Sequence, residues 1–223
     1  MIRTDGQGNG PRLILASASP RRSELLEQIG IPFRVLPAHI DEDAARHEAA
    51  IDHTDPVALA RTLALEKARV IRASLGGAID DASVNETEWV LGADTVVACA
   101  GMILEKPADR DEAREMLCTL SGRTHSVVTG VAVVTNDGRE VIRHAETFVT
   151  FSSLSAQEIE WYVDTGEFSG VAGAYRIQGT CARFITSVQG SYSNVVGLPL
   201  HLVYSILTEH NWPGLGQDIP SAF

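Results

Sequence analysis

Short apolar runs alternate with amphipathic stretches along most of this chain, and their spacing predicts the elements. Leu13-Ile14-Leu15-Ala16 reads as a short strand. A helix follows, with Ser19 suited to the N-cap and Pro20 to the first helical position. Leu25, Leu26 and Ile29 would carry its buried face, and Gly30 would stop it. Phe33-Arg34-Val35-Leu36 predicts a second strand, ended by Pro37 and followed by an acidic turn, His39-Ile40-Asp41-Glu42-Asp43. Residues 55–75 form the clearest helix, capped by Asp55 and opened by Pro56. The polar stretch GGAIDDASVNETE separates it from WVLGADTVVAC, a nearly continuous apolar run of the kind found in buried strands, interrupted by Gly92-Ala93-Asp94-Thr95. ADRDEAREMLCTLSG predicts a helix with Ala113, Met116, Leu117 and Leu120 inward. Asn136-Asp137-Gly138 between two β-rich runs predicts a hairpin. Ser155 with Glu158 makes a capping box. The glycine-punctuated segment after it reads as strand and loop, and a last helix runs from Leu198-Pro199 to about His210. Strands mixed with helices, including one hairpin, predict an α/β fold with a mixed sheet.

Composition narrows the class. A chain of 223 residues with 44% hydrophobic content can bury one sizeable core. The predicted organisation is a flexible tail over 1–11, one large α/β domain or two closely packed lobes over 12–210 and a second tail over 211–223. No apolar run approaches the roughly 20 residues of a membrane span. The opening MIRTDGQGNGPR has no apolar segment of the signal-peptide kind. Cys99, Cys118 and Cys181 are far apart and form no CxxC pair, so reduced thiols and a cytoplasmic location are expected, each thiol being at its plainest a small core residue. A net charge of −11 argues against nucleic-acid or anionic-membrane partners. It also makes any local cluster of cations informative.

Three places resist a purely structural reading. Arg21 and Arg22 fall in the first turn of a helix, where the dipole is positive. Either they are solvated, at a cost of about 0.3–1 kcal/mol each, or an anion sits there, held by free backbone N–H groups and guanidinium forks shaped for phosphate. Lys67 lies four residues after Leu63 and four before Ile71, on the apolar face with Val57, Ala60 and Ala64. It either finds an anionic partner or snorkels to the edge. Asp94 stands mid-strand, where a lone carboxylate is costly. It is either satisfied by backbone N–H groups or serves as a base or metal ligand. Gly92 before it allows a bulge or a close backbone approach. Lys106, Arg123, Asp41, Glu42 and Gln178 are, taken alone, ordinary surface or turn residues. The chain has no GxxxxGK[ST], HExxH or GxSxG motif.

Taken in order, LASASPRR, IDE, EKA, GADTVV, EKP, LSGRTHSVVTGVAV, AGAYRIQG and GSYSNVVGLPL resemble the Maf family of nucleoside triphosphate pyrophosphatases. The resemblance runs from about Leu13 to Leu207. It implies a long mixed sheet and two lobes around a central cleft. It implies hydrolysis of a nucleoside triphosphate to the monophosphate and pyrophosphate. Ser17, Ser19, Arg21 and Arg22 match the family's triphosphate-binding loop, Lys67 and Lys106 its phosphate-contacting lysines, and Asp94 its proposed catalytic base. A divalent cation, magnesium or manganese, is implied beside the acidic pair Asp41 and Glu42 together with Asp94. Arg21, Thr95 and Gln178 match the branch acting on dTTP and UTP rather than 7-methyl-GTP. One departure stands out: Arg176 occupies a position where the family commonly has glycine. A homodimer is a further expectation of the family. The rival readings are a house-cleaning enzyme for modified purine nucleotides and a non-enzymatic nucleotide sensor acting on septum formation.

Overall fold

The structure, a computed structural model, describes residues 13–42, 44–45, 54–76 and 88–215. The expected N-terminal tail and the polar stretch 77–87 lie outside the described residues. Strand β1 (Leu13–Leu15) leads into helix α1 (Pro20–Gln28) and strand β2 (Phe33–Val35). Helix α2 (Pro56–Gly76) follows, then β3 (Trp89–Cys99) and β4 (Met102–Leu104). Helix α3 (Arg110–Leu120) precedes the long hairpin of β5 (Thr124–Val134) and β6 (Glu140–Phe151). Helix α4 (Ala156–Asp164), two 3₁₀ turns, β7 (Ile185–Gln189), α5 (Tyr192–Val196) and α6 (Leu200–Glu209) complete the order.

The seven strands form one mixed sheet in the order β2-β1-β3-β5-β6-β7, with β4 also on β3. β1 runs parallel to both β2 and β3, and the remaining pairs are antiparallel. Period-two alternation sends Leu13, Leu91, Val131 and Val133 to one face, where they pack with residues of α1, α3, α4 and α6. The opposite face, with Ile14, Val90 and Ala132, packs on Ala64, Ala68 and Ile71 of α2. The helix lies close against the sheet because two strand glycines admit its backbone. A Cβ on Gly92 would stand 2.1 Å from the Ala64 carbonyl oxygen, and one on Gly130 would stand 2.1 Å from that of Ala60. Gly92 therefore serves a close approach and not a bulge, and β3 pairs with β5 in unbroken register from Val90 to Ala98.

The other edge of β3 is what creates a site. β1 pairs with Trp89–Leu91 and β4 with Val97–Cys99. Neither strand pairs with the stretch between. Gly92 to Val96 therefore lie along a gap where the sheet changes neighbour, the kind of crevice in which α/β folds bind ligands.

Local signals mostly act as expected. Asp55 Oδ1 accepts from the Val57 and Ala58 N–H groups, and Ser155 and Glu158 form both halves of the capping box. Three expectations change. Ile29 lies beyond the end of α1 and is exposed, because the chain turns out at Gly30 with φ +69°. The segment after Gly170, expected as strand and loop, includes two 3₁₀ turns, since left-handed Gly173 reverses the chain against Val97 of β3. The C-terminal tail does not begin at 211: Trp212 is 2% exposed, sits in the core and donates its backbone N–H to the Leu207 carbonyl. All three cysteines are free, but Cys118 is exposed and is no core residue.

Candidate active site

A cleft of about 420 Å³ opens at the gap in β3. That size falls within the roughly 300–1,000 Å³ of small-molecule sites. Residues 16–22 and 195–197 form one wall, Lys106 with residues 170–172 and 175–178 the other, and Asp94, Thr95 and Lys67 lie between them. The structure thus brings Ser17, Ser19, Arg21, Arg22, Glu42, Lys67, Asp94, Thr95, Lys106 and Gln178 to one cavity.

Successive strand residues point to opposite faces, so Asp94 and Thr95 do different work. Asp94 faces α2. Its Oδ1 accepts from Lys67 Nζ at 2.5 Å, and the same ammonium donates to Glu42 Oε1 at 3.0 Å. The inward lysine of α2 therefore has its anionic partner, and the mid-strand aspartate is satisfied by a charge rather than by backbone. Both side chains are largely buried, at 12% and 13% exposure, so removing Lys67 would strip Asp94 of its hydrogen-bonded counter-charge, while removing Asp94 would leave Lys67 with Glu42 alone. Asp41 behaves otherwise. It turns Oδ1 back to the Ala44 N–H at 3.0 Å, closing a local turn. Among the described residues no three His, Cys, Asp or Glu gather into a metal-binding group. The expected set of Asp41, Glu42 and Asp94 is thus two carboxylates bridged by Lys67. Their hard oxygens still suit magnesium or manganese.

Thr95 faces α1. Arg22 donates Nη2 to Thr95 Oγ1 at 3.1 Å, Nη1 to Ser17 Oγ at 3.0 Å and Nε to the Gly197 carbonyl at 2.7 Å. Thr129, paired with Thr95 across β3 and β5, donates to the Asn194 carbonyl at 3.1 Å. Its single proton is then in use, so Thr95 must donate to Thr129 over their 3.0 Å contact. The chain runs one way, Arg22 to Thr95 to Thr129 to Asn194. Arg22 is a staple between α1, β3 and the end of α5, with one N–H left on each terminal nitrogen for a ligand. Burial holds its pKa below the usual arginine value, with Asp94 opposing that shift. Thr129 and buried Asn194, whose Nδ2 donates to the Val127 carbonyl at 2.9 Å, were not legible as site residues. The signals were a polar residue inside the apolar run SVVTGVAVV and the place of both residues in the motifs LSGRTHSVVTGVAV and GSYSNVVGLPL.

Ser19 occupies the N-cap of α1 with extended backbone, yet its side chain makes no capping bond. Instead its N–H donates to Ser17 Oγ at 3.2 Å. The helix start thus keeps N–H donors for an anion, as such termini can. Arg21 lines the cleft beside them, and its guanidinium makes no hydrogen bond among the described residues. Lys106 is exposed at the mouth.

The far wall is fastened from behind. Tyr175 is buried, and its hydroxyl shares a hydrogen bond of 2.8 Å with His125 Nε2. Burial pushes the His125 pKa down to about 4 and the Tyr175 pKa well up. Tyr162 accepts the Arg176 N–H at 3.1 Å. Gly179 donates its N–H to the Arg176 carbonyl at 3.1 Å, closing a turn with Gln178 exposed at its tip.

A sequence profile described as Maf-like protein matches residues 12–210, nearly the whole chain. The chain belongs to the Maf family. This Maf-like chain is 50% identical over 202 residues to a dTTP/UTP pyrophosphatase of Symbiobacterium thermophilum, covering 91% of this chain and 95% of that protein. It is 48% identical over 197 residues to a protein of the same name from Moorella thermoacetica, covering 88% and 93%. The solved structure of a HAM1 protein from Coxiella burnetii aligns with a TM-score of 0.46 at 17% identity, covering 89% of this chain and 99% of that one.

Proposed function

We propose that this chain hydrolyses nucleoside triphosphates between the α and β phosphates, with dTTP and UTP as preferred substrates. The observation that carries the reading is the buried Lys67–Asp94 pair at the open edge of β3, beside an uncapped helix start. A cationic, donor-rich surface thus meets a carboxylate in one cleft. That is the chemistry needed to bind phosphates and to take a proton from water. The relatives' activity on dTTP and UTP supports the choice of base.

The α1 N-terminus, the remaining Arg22 N–H groups and Lys106 would hold the triphosphate, so that negative charge gathering on its oxygens meets fixed donors. Asp94 would accept the proton of the attacking water, and Lys67 orients its carboxylate. Water oxygen joins phosphorus, the bond to the β-phosphate oxygen breaks, and pyrophosphate leaves with the electron pair. Much of the acceleration is positioning, as in other phosphoryl transfers. Glu42 and Asp94 would hold a divalent cation, which when bound supplies charge neutralisation at the phosphates. Three free thiols support a cytoplasmic setting, where reduced cysteines persist.

Pyrophosphate release from a panel of nucleoside triphosphates, with magnesium or manganese and with chelator, tests the reading. Release from dTTP and UTP is expected, lost in chelator. A purine preference would move the substrate assignment to modified purines. No release from any nucleotide would overturn the enzymatic reading in favour of nucleotide sensing.

A further inference from the structure

Arg176 is the feature that the activity above leaves unused. It lies on the cleft wall between buried Tyr175 and Ile177, two residues from Gln178. Its Nη2 donates to the Ser169 carbonyl at 2.9 Å, which holds the side chain along the wall. Its Nε is buried without a partner. Arg21 stands in the same cleft. Burial lowers the Arg21 pKa, and the charge of Arg176 lowers it further. In a chain of net charge −11, two guanidinium groups therefore share one cavity and repel each other. Such a pair is eased by acceptor oxygens placed between its members.

The position in the cleft says which oxygens. Lys67 and Asp94 mark the phosphate-handling floor. Arg176 is flanked instead by buried Tyr175 and Ile177 on a cleft lining that also includes Val171 and Val196, apolar surface suited to a flat base. A pyrimidine-2,4-dione offers two carbonyl acceptors with an N–H between them. The Gln178 amide can donate and accept beside it.

We infer that Arg176 reads the base. With Arg21 it donates to carbonyl oxygens of uracil or thymine, and it opposes cytosine, whose 4-amino group would set a donor against a donor. The inference rests on the substrate reading above and extends it to a residue that the resemblance does not assign. Discrimination of this kind is strong where a site's polar groups are left unpaired by the wrong ligand.

The experiment measures kcat/KM for UTP, dTTP and CTP with wild type, Arg176→Gly and Arg176→Gln. Arg176→Gln keeps a donor for the Ser169 carbonyl and guards against simple loosening of the wall, which melting curves also report. The expected result is a fall in the UTP/CTP ratio of about tenfold or more in both variants, the scale of one charge-assisted hydrogen bond, carried mainly by UTP. An equal loss for UTP and CTP overturns the inference and makes Arg176 a phosphate contact or a wall support. A UTP/CTP ratio unchanged in both variants, where wild type prefers UTP, also overturns it. A wild type with no preference for UTP and dTTP overturns the substrate reading first, and the inference with it.

Discussion

Gly92→Ala tests the link between packing and chemistry. The added Cβ would stand 2.1 Å from the Ala64 carbonyl oxygen, 3.0 Å from the Ala68 nitrogen and 3.1 Å from the Ala68 Cβ. Ordinary contacts begin near 3.4 Å, and the obstacle is helix backbone that cannot rotate aside. Helix α2 must therefore retreat from β3 by more than about 1 Å. Lys67 lies one turn beyond Ala64, so its 2.5 Å bond to Asp94 would open past hydrogen-bond range. Overpacking of this kind costs about 1–3 kcal/mol. At roughly 2–4 °C per kcal/mol for a chain of this size, the melting temperature should fall by about 2–12 °C. A misplacement of about 1 Å at a reacting centre costs on the order of 100-fold in rate. Gly101→Ala is the control: its φ of +78° is strained for alanine, but nothing lies within 4 Å of the new Cβ. It should lower stability by about 1–2 kcal/mol and leave turnover alone. Calorimetry and pyrophosphate release measure both quantities. Wild-type kcat/KM in Gly92→Ala would refute the claim that close helix approach sets the Lys67–Asp94 geometry.

Other consequences can be measured directly. Asp94→Asn should bind nucleotide but lose about 100- to 10,000-fold in turnover, and full activity in that variant would remove Asp94 as the base. His125 has its folded pKa depressed to about 4 from an ordinary 6.5. Its contribution to stability is complete above pH 6.5 and drains away as pH falls toward 4, because only the unfolded chain takes up the proton, for a total of about 3 kcal/mol. Denaturation of wild type and His125→Asn between pH 7 and 4 should show the variant losing less stability on acidification, and parallel curves would contradict it. Trp212→Ala should cost about 3–5 kcal/mol, as expected for a core residue. Loss of less than 1 kcal/mol in urea titration would return residues 211–215 to the status of a tail.

Much of the fold was legible because its signals are local. Asp55 before Pro56, the Asn136-Asp137-Gly138 turn and the Ser155–Glu158 box each act within a few residues, and each forms as expected. The inward direction of Lys67 followed from helical period alone. Trp212 was misjudged because the neighbouring Pro213 and Gly214 read as loop, while its burial depends on a core assembled from distant segments. The expectation for Arg22 named only phosphate; its bonds to Ser17, Thr95 and Gly197 were not legible, because those partners are 5 to 175 residues away in sequence.

By itself the sequence determined most of the elements, the family and the set of residue types in the cleft, since periodicity, caps and ordered motifs need no knowledge of what packs where. The tertiary structure decided how those residues divide the work. Sheet pairing opens the gap along β3 and turns Asp94 to Lys67 and Thr95 to Arg22, on opposite faces of one strand. Hydrogen-bond direction then makes Arg22 a staple, and the turn at Arg176 places a second guanidinium in the cleft that Arg21 lines. Those outcomes depend on distances of a few ångströms between segments far apart in the chain, which no local pattern encodes.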